Sequence, residues 1–457
     1  MTATSIKKLL HDHRFYFATG ITKGLSFRLE QLRVLRKAVT DNEAAIFHTL
    51  KEDLGKPAFE AYGGESAIVL HEIDEALRHL RCWSKPRRVR TPLAYFPAGS
   101  FIYPVPFGVA LIIGPWNFPV QLMLAPLVGA MAAGNCAVLK PSPAAPRTSH
   151  IITKLIAENF DPAYVSVVEG GAETAQALLH ERFDHIFFTG GVATGRLVMA
   201  AAAKFLTPVT LELGGKNPCI VDEDVHLDIA ARRIVFGKFF NAGQSCVAVD
   251  YLLVDRRVKQ ALLSRIFKYI VEFYGEDASR SPDFGRIVNE QHFDRLLELL
   301  HAGDIVIGGR SDRAGRYIAP TVIDGITGTE PIMEDEIFGP LLPIIVYDDL
   351  PEAIEFVNRR PKPLAFYFFS RNKARQEQVL AGTSSGGVCI NDTVVHFTVT
   401  GLPFGGVGDS GMGKYHGKAS FETFTHDRSI IRNNFLVDVF LRYPPYKDHL
   451  RWLRKLF

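Results

Sequence analysis

The sequence predicts an α/β protein, built from a doubly wound parallel-sheet domain and a second α/β domain, with a separate edge-strand segment between the N-terminal helices and the first sheet. Three observations carry this. Short apolar strands alternate with helical stretches from Pro106 to Leu211, and again from Tyr251 to about Asn391, the pattern of parallel sheets with crossover helices. The chain has 457 residues, beyond the size at which one core keeps growing. Between the N-terminal helical pattern and the first strand lies a segment rich in Pro, basic and aromatic residues.

Up to about Trp83, apolar residues such as Leu25, Leu29, Leu32, Leu35 and Val39 recur at helical spacing among many charges, so amphipathic helices packed on a larger body are expected. From Lys85 to Pro106, Ser100–Val105 alternates like an edge strand, and an edge strand needs a partner. Val109–Ile113 then reads as a buried strand, 118–133 as a helix, Ala137–Leu139 as a strand and 148–158 as a helix, with strands at 165–168, 186–188 and 209–211. The apolar run 118–139 approaches a membrane-spanning length, but it contains Gln121, Pro126, Gly129, Gly134 and Asn135, which favours helix, turn and strand. The second region offers strands at 252–254, 305–307, 343–346 and 364–368. The expected division is 1–212 for the dinucleotide domain, with the arm at about 85–106, then 213–400 for the second domain. Residues 401–457 return to the first.

Composition excludes several classes. With 47% hydrophobic and 22% charged residues the chain reads as globular. A formal charge of +3 gives no global case for nucleic acid. Cys82, Cys136, Cys219, Cys246 and Cys389 are scattered and form no C-x-x-C pair, so neither a disulfide framework nor a metal site is expected. The first residues, Met1 to Lys8, run into His and Asp rather than an apolar core, so a reducing, cytoplasmic setting is expected.

The stretch that carries chemistry is Asn241-Ala242-Gly243-Gln244-Ser245-Cys246-Val247-Ala248, with Glu212 upstream in Leu211-Glu212-Leu213-Gly214-Gly215-Lys216. A lone cysteine is usually a small buried hydrophobe. Set beside a carboxylate, it also reads as a thiol nucleophile with its base. Sulfur attacks an aldehyde readily, and the adduct can lose hydride to a nicotinamide and become a thioester. Hydrolysis of that thioester needs a group to take a proton from water, and Glu212 is the candidate. Gly190, Gly191 and Gly195, after the strand 186–188, put permissive backbone at a helix N-terminus, where amides favour phosphate.

These two motifs, with Gly114-Pro115-Trp116-Asn117-Phe118-Pro119, Phe188-Thr189-Gly190 and Glu336-Ile337-Phe338-Gly339-Pro340, are together similar to the motif set of the aldehyde dehydrogenase superfamily and occur in its order. The segment from Phe404 through Gly417 resembles the class 3, fatty-aldehyde-type branch, as does Lys56-Pro57-Ala58-Phe59-Glu60-Ala61-Tyr62.

The resemblance implies oxidation of medium- to long-chain aliphatic or aromatic aldehydes to acids, with NAD or NADP and no metal. Asn117 and the Cys246 backbone N–H would stabilise the alkoxide. Lys140 would lie beside the adenine ribose, Gly190, Gly191 and Gly195 beside the pyrophosphate, and Trp116, Leu213, His292, Glu336 and Phe338 along the cofactor, with Arg295 near. Tyr62 and Phe118 would line the substrate entrance, Phe118 with Trp116 giving an apolar tunnel. Where NAD-preferring members often carry Glu, three residues after the lysine, this chain has Pro143, with Arg147 nearby. A carboxylate there repels a 2′-phosphate, so dual NAD and NADP use is expected. The arm implies a homodimer. At the C-terminus, Lys447, Arg451, Arg454 and Lys455 interleave with Leu450, Trp452, Leu453, Leu456 and Phe457, a pattern for docking over the substrate entrance or for peripheral contact with a membrane. The rival readings are an acylating relative that passes the thioester to phosphate or coenzyme A, and a non-catalytic scaffold.

Overall fold

The structure is a computed structural model and describes residues 3–438 and 440–456; Phe457 of the C-terminal pattern lies outside them. Helices Leu25–Asp41, Glu43–Leu54 and Ala67–Trp83 form the expected N-terminal layer. Leu29, Leu32, Leu35 and Val39 turn inward from the first of these, as their three-to-four spacing requires.

The first sheet has six strands in the order Gly411–Met412, Val209–Glu212, His185–Thr189, Val109–Ile113, Cys136–Lys140, Val165–Val167. All its pairings are parallel except the edge pair Gly411–Met412 with Leu211–Glu212. Three central strands are buried at every position, which explains their unbroken apolar runs. Helices Gln121–Ala133 and Pro146–Asn159 fall between them.

Helix Gln121–Ala133 starts three residues later than its apolar pattern suggests. The carboxylate of Glu65, from another layer, accepts the Val120 and Gln121 amides at 2.9 Å each. A cap supplied from 56 residues away leaves no local signal. Asp53 does the same for the next helix, accepting from the Thr148 amide at 2.8 Å.

The second sheet has seven strands, ordered Asp304–Ile307, Thr321–Asp324, Leu341–Tyr347, Tyr251–Asp255, Pro218–Val221, Ala365–Phe369, Gly387–Ile390. Only Asp304–Ile307 runs antiparallel. Pro218–Val221, Thr321–Asp324 and Gly387–Ile390, four residues each, were not read from the sequence.

The expectation of an edge strand at 100–105 needs correction. Gly99–Pro106 is the middle strand of a three-stranded antiparallel sheet, between Arg87–Val89 and Thr425–Arg432. Its partner on one side lies more than 300 residues along the chain, which is why alternation alone read as an exposed edge. Among the described residues no helix is long and apolar enough to cross a membrane.

Candidate active site

Three neighbouring strands of the first sheet, Val109–Ile113, His185–Thr189 and Val209–Glu212, end at the same edge. Just past or at their carboxyl ends stand Asn117, Gly190 and Glu212, the position at which parallel sheets present ligand sites. Cys246 arrives from the other side, after helix Leu227–Phe239. Between helix and thiol, Asn241, Ala242 and Gly243 have φ of 52°, 53° and 74°. Three successive left-handed residues reverse the chain abruptly. The turn is tied down by Glu60, which accepts the Asn241 amide at 3.0 Å. Gln244 holds its far side, donating to Arg286 O at 2.9 Å and accepting from the Val288 amide at 3.0 Å.

Cys246, Glu212 and Asn117 line one cavity of about 240 Å³. Its other walls include Trp116, Gly190, Gly191, Leu213, His292, Arg295, Glu336 and Phe338. Cys246 also borders a smaller apolar recess with Phe118, Gln121, Leu122, Phe397, Phe404 and Tyr415. The thiol therefore stands between a polar-rimmed chamber and an aromatic one.

The matching family model is that of the Aldehyde dehydrogenase family, and it covers residues 21–430. The chain belongs to this family. It is 48% identical over 454 residues to the 4,4'-diaponeurosporen-aldehyde dehydrogenase of Staphylococcus aureus (strain NCTC 8325 / PS 47), covering 99% of both chains. It is 46% identical to the rat (Rattus norvegicus) "Aldehyde dehydrogenase, dimeric NADP-preferring", covering 97% of this chain and 98% of that one. Among solved structures, the substrate-bound state of Staphylococcus aureus AldH superposes with a TM-score of 0.97 at 47% identity, covering 99% of each. This aldehyde dehydrogenase is therefore an NAD(P)-dependent enzyme that oxidises aldehydes.

The electrostatics of the chamber follow from burial. Both carboxyl oxygens of Glu212 are buried without a hydrogen-bond partner, and desolvation raises its pKa well above the ordinary carboxylate value. Burial also raises the Cys246 thiol, with Glu336 and Glu212 adding to the shift. Burial thus favours the uncharged form of each. Glu336 is pushed up to about 8, chiefly by burial and then by Asp250. It belongs to the cavity wall rather than to an acidic surface face, and it passes so close to Gly214 that a Cβ there would meet its Oε2 at 1.9 Å. His292 is lowered by burial, with Arg295 adding. It lies 5.0 Å from the Trp116 ring, and Phe338 meets that ring edge-on at 5.3 Å.

The residues present fit a dinucleotide. Gly191 caps the helix Val192–Ala203 in extended conformation, and nothing stands within 4 Å of where its Cβ would be, so backbone amides at that terminus are open to a phosphate. Glu336 Oε1 is buried and unpartnered at the chamber wall, as an acceptor waiting for a hydroxyl would be.

Four residues singled out from the sequence, Gly195, Lys140, Tyr62 and Arg147, line neither cavity. Gly195 is inside the helix, where a Cβ would meet Leu213 Cδ2 at 2.6 Å; it admits Leu213 to the wall. Lys140 lines neither cavity and donates from Nζ to Pro141 O at 3.0 Å and Gly170 O at 2.5 Å. Tyr62 is half exposed, edge-on to Phe47, and lines neither cavity. Arg147 pairs with Glu52 at 3.0 Å. Phe118 does line the aromatic recess, stacked 5.7 Å from Phe240. Sequence reasoning missed the buried charges behind the site, Glu60 and Glu65, and the structural use of Lys56. Their only signal is three ionisable residues in an otherwise apolar, Gly-containing run, 56–65.

Proposed function

We propose that Cys246 is the nucleophile of this aldehyde dehydrogenase, Asn117 with the Cys246 amide the alkoxide-binding pair, and Glu212 the base for deacylation. The Cys246 thiol gives its proton to water in the chamber as its sulfur adds to the aldehyde carbon, and the alkoxide accepts hydrogen bonds from the pair. Asn117 Nδ2 lies 3.1 Å from Gln244 O, so its amide is already directed at the thiol loop. When bound, NAD(P)⁺ supplies the hydride acceptor that turns the thiohemiacetal into a thioester. Glu212 then takes a proton from the water that attacks the thioester, releasing the acid and restoring the thiol.

The observation that carries this reading is the unpartnered Glu212 carboxyl in the same cavity as Cys246. A buried carboxyl without partners is costly and serves as a base toward a small molecule that enters. It favours water over coenzyme A or phosphate as acceptor. The scaffold reading leaves the cost unexplained.

The substrates are medium- to long-chain aliphatic or aromatic aldehydes. The aromatic recess of Phe118, Phe397, Phe404 and Tyr415 beside the thiol supports this, as does the diaponeurosporen-aldehyde in the name of the Staphylococcus aureus relative. Both NAD and NADP serve, since Pro143 presents no carboxylate to a 2′-phosphate and the rat relative is named NADP-preferring. The first sheet with the N-terminal helices holds the cofactor, the second carries the nucleophile, and the arm sheet joins two copies. The C-terminal helix His449–Leu456 exposes Leu450, Trp452 and Leu453 and lines neither cavity of its own chain. Its basic and apolar composition serves docking over a substrate entrance as well as contact with a lipid surface, and liposome sedimentation with and without residues beyond Asp448 separates the two.

The test is a steady-state assay of NADH and NADPH formation across aldehydes from two carbons to long chains, with Cys246→Ala alongside. Activity that rises with chain length, uses both cofactors and vanishes in the variant is expected. NADP turnover below detection at saturation refutes dual use, and no turnover without coenzyme A or phosphate favours the acylating reading.

A further inference from the structure

Behind the active-site wall, the segment Lys56–Glu65 buries charges that the chemistry above does not use. Lys56 and Glu65 are both fully enclosed, and Lys56 Nζ lies 2.6 Å from Glu65 Oε1. The same ammonium donates to the backbone carbonyl of Asn117 at 2.8 Å and stands 4.1 Å from the centre of the Phe118 ring. That carbonyl takes a second donor, Asn241 Nδ2, at 3.1 Å. The other oxygen of Glu65 accepts the Val120 and Gln121 amides. The turn carrying Asn117 and Phe118 is thus gripped at one end by a cation and at the other by an anion, and the two ions grip each other.

The backbone is shaped to permit this. Tyr62–Ser66 forms a π-helical turn, a rare irregularity that re-aims side chains, and Glu65 sits within it. Gly64, in the same turn, lies against the stacked rings of Phe118 and Phe240, where a Cβ would come within 3.1 Å and 3.0 Å. A buried ion pair is a poor source of stability compared with apolar side chains of similar volume. Its use here, on a carbonyl that also accepts from the thiol loop, points to geometry.

We propose that Lys56 and Glu65 are positioning residues for the hydride-transfer half of the reaction, holding the Asn117 turn in register with the Asn241–Cys246 loop. This rests on the role assigned to Asn117. Lys56 anchors that residue's carbonyl with a charge-assisted hydrogen bond, stronger than a neutral one, so that its amide stays where the alkoxide forms. Misplacement of such a donor costs rate even where the fold persists.

The experiment compares Lys56→Met/Glu65→Gln, which removes both charges, with Lys56→Gln, which keeps a shorter neutral donor. Each is measured for melting temperature, cofactor affinity by protein-fluorescence quenching, and the rate constant of the pre-steady-state NAD(P)H burst. The expected result, in whichever variant folds, is a burst slowed by about 10²-fold, with cofactor affinity and the aldehyde KM within about threefold of the parent. A folded variant whose burst stays within about threefold of the parent overturns the proposal, as does recovery of the burst in step with melting temperature. Asn117→Ala is run in parallel. If it keeps its burst, the reading of Asn117 itself fails; if it loses the burst while the folded Lys56 variants keep theirs, only the positioning role fails.

Discussion

Gly243→Ala tests how tightly the Cys246 loop is built. Gly243 has φ of 74°, and a Cβ there would stand 2.3 Å from Gly339 O and 3.1 Å from Lys238 O. Both obstacles are backbone, one in the Glu336-to-Pro340 motif and the other in the helix before the thiol, so neither can swing aside. A left-handed alanine costs about 1–2 kcal/mol, and forcing an extra carbon into a filled site about 1–3 kcal/mol more. The expected loss is therefore about 2–5 kcal/mol. For a chain of this size the entropy of melting is about 1 kcal/mol per kelvin, so the midpoint falls by about 2–5 °C. Cys246 lies three residues on, and a displacement near 1 Å costs about 10²-fold in rate. Calorimetry, the burst rate constant and the rate of Cys246 alkylation are the assays. Gly63→Ala is the control, since nothing lies within 4 Å of its Cβ position and it sits in a helical turn; its midpoint should hold or rise. A Gly243→Ala protein that melts within about 1 °C of the parent and keeps its burst rate would refute the steric argument.

Other expectations follow from the buried carboxyls and the open helix terminus. Glu212→Gln should release about one NAD(P)H per subunit in the burst and then turn over about 10²–10⁴-fold more slowly, seen as persistent acyl-enzyme by mass spectrometry. Because burial raises the Glu212 pKa, its base form grows as pH rises, so acyl-enzyme decay should speed up with pH in the parent and stay flat in Glu212→Gln. Glu60 has its pKa raised to about 8, chiefly by burial. Its neutral form adds stability that is full below about pH 4.5 and is lost as pH rises through about 8. Glu60→Gln should therefore gain in melting temperature relative to the parent between pH 5 and pH 9. Gly191→Ser meets open space at the cap of Val192–Ala203 and adds a hydroxyl where phosphate is expected. It should tighten NAD(P) binding a fewfold, measured by fluorescence quenching, without lowering the midpoint.

The strands that build the site were legible because burial on both faces leaves unbroken apolar runs, as in Val109–Ile113 and His185–Thr189. Cys246, Glu212 and Asn117 were singled out because the motifs that carry them, together and in order, resemble those of the aldehyde dehydrogenase family, and the structure sets all three on one cavity. Other features depended on partners far away in the chain. Gly99–Pro106 is central only because Thr425–Arg432 lies beside it. The helix at Gln121 begins where Glu65 caps it. That Gly195 makes room for Leu213 is visible only in the folded chain. Lys56 reads as one more charge in a helical region and is instead enclosed between Glu65 and Asn117.

The division has one physical reason. Propensity, alternation and turn chemistry act within a few residues of one another, so the chain displays them wherever it is read. Protonation, capping from another layer and strand neighbourhood are set by water exclusion and by groups hundreds of residues apart. The folded arrangement alone raises the Glu212 carboxyl and the Cys246 thiol above their ordinary ranges, and it alone binds the Asn117 turn to a buried lysine.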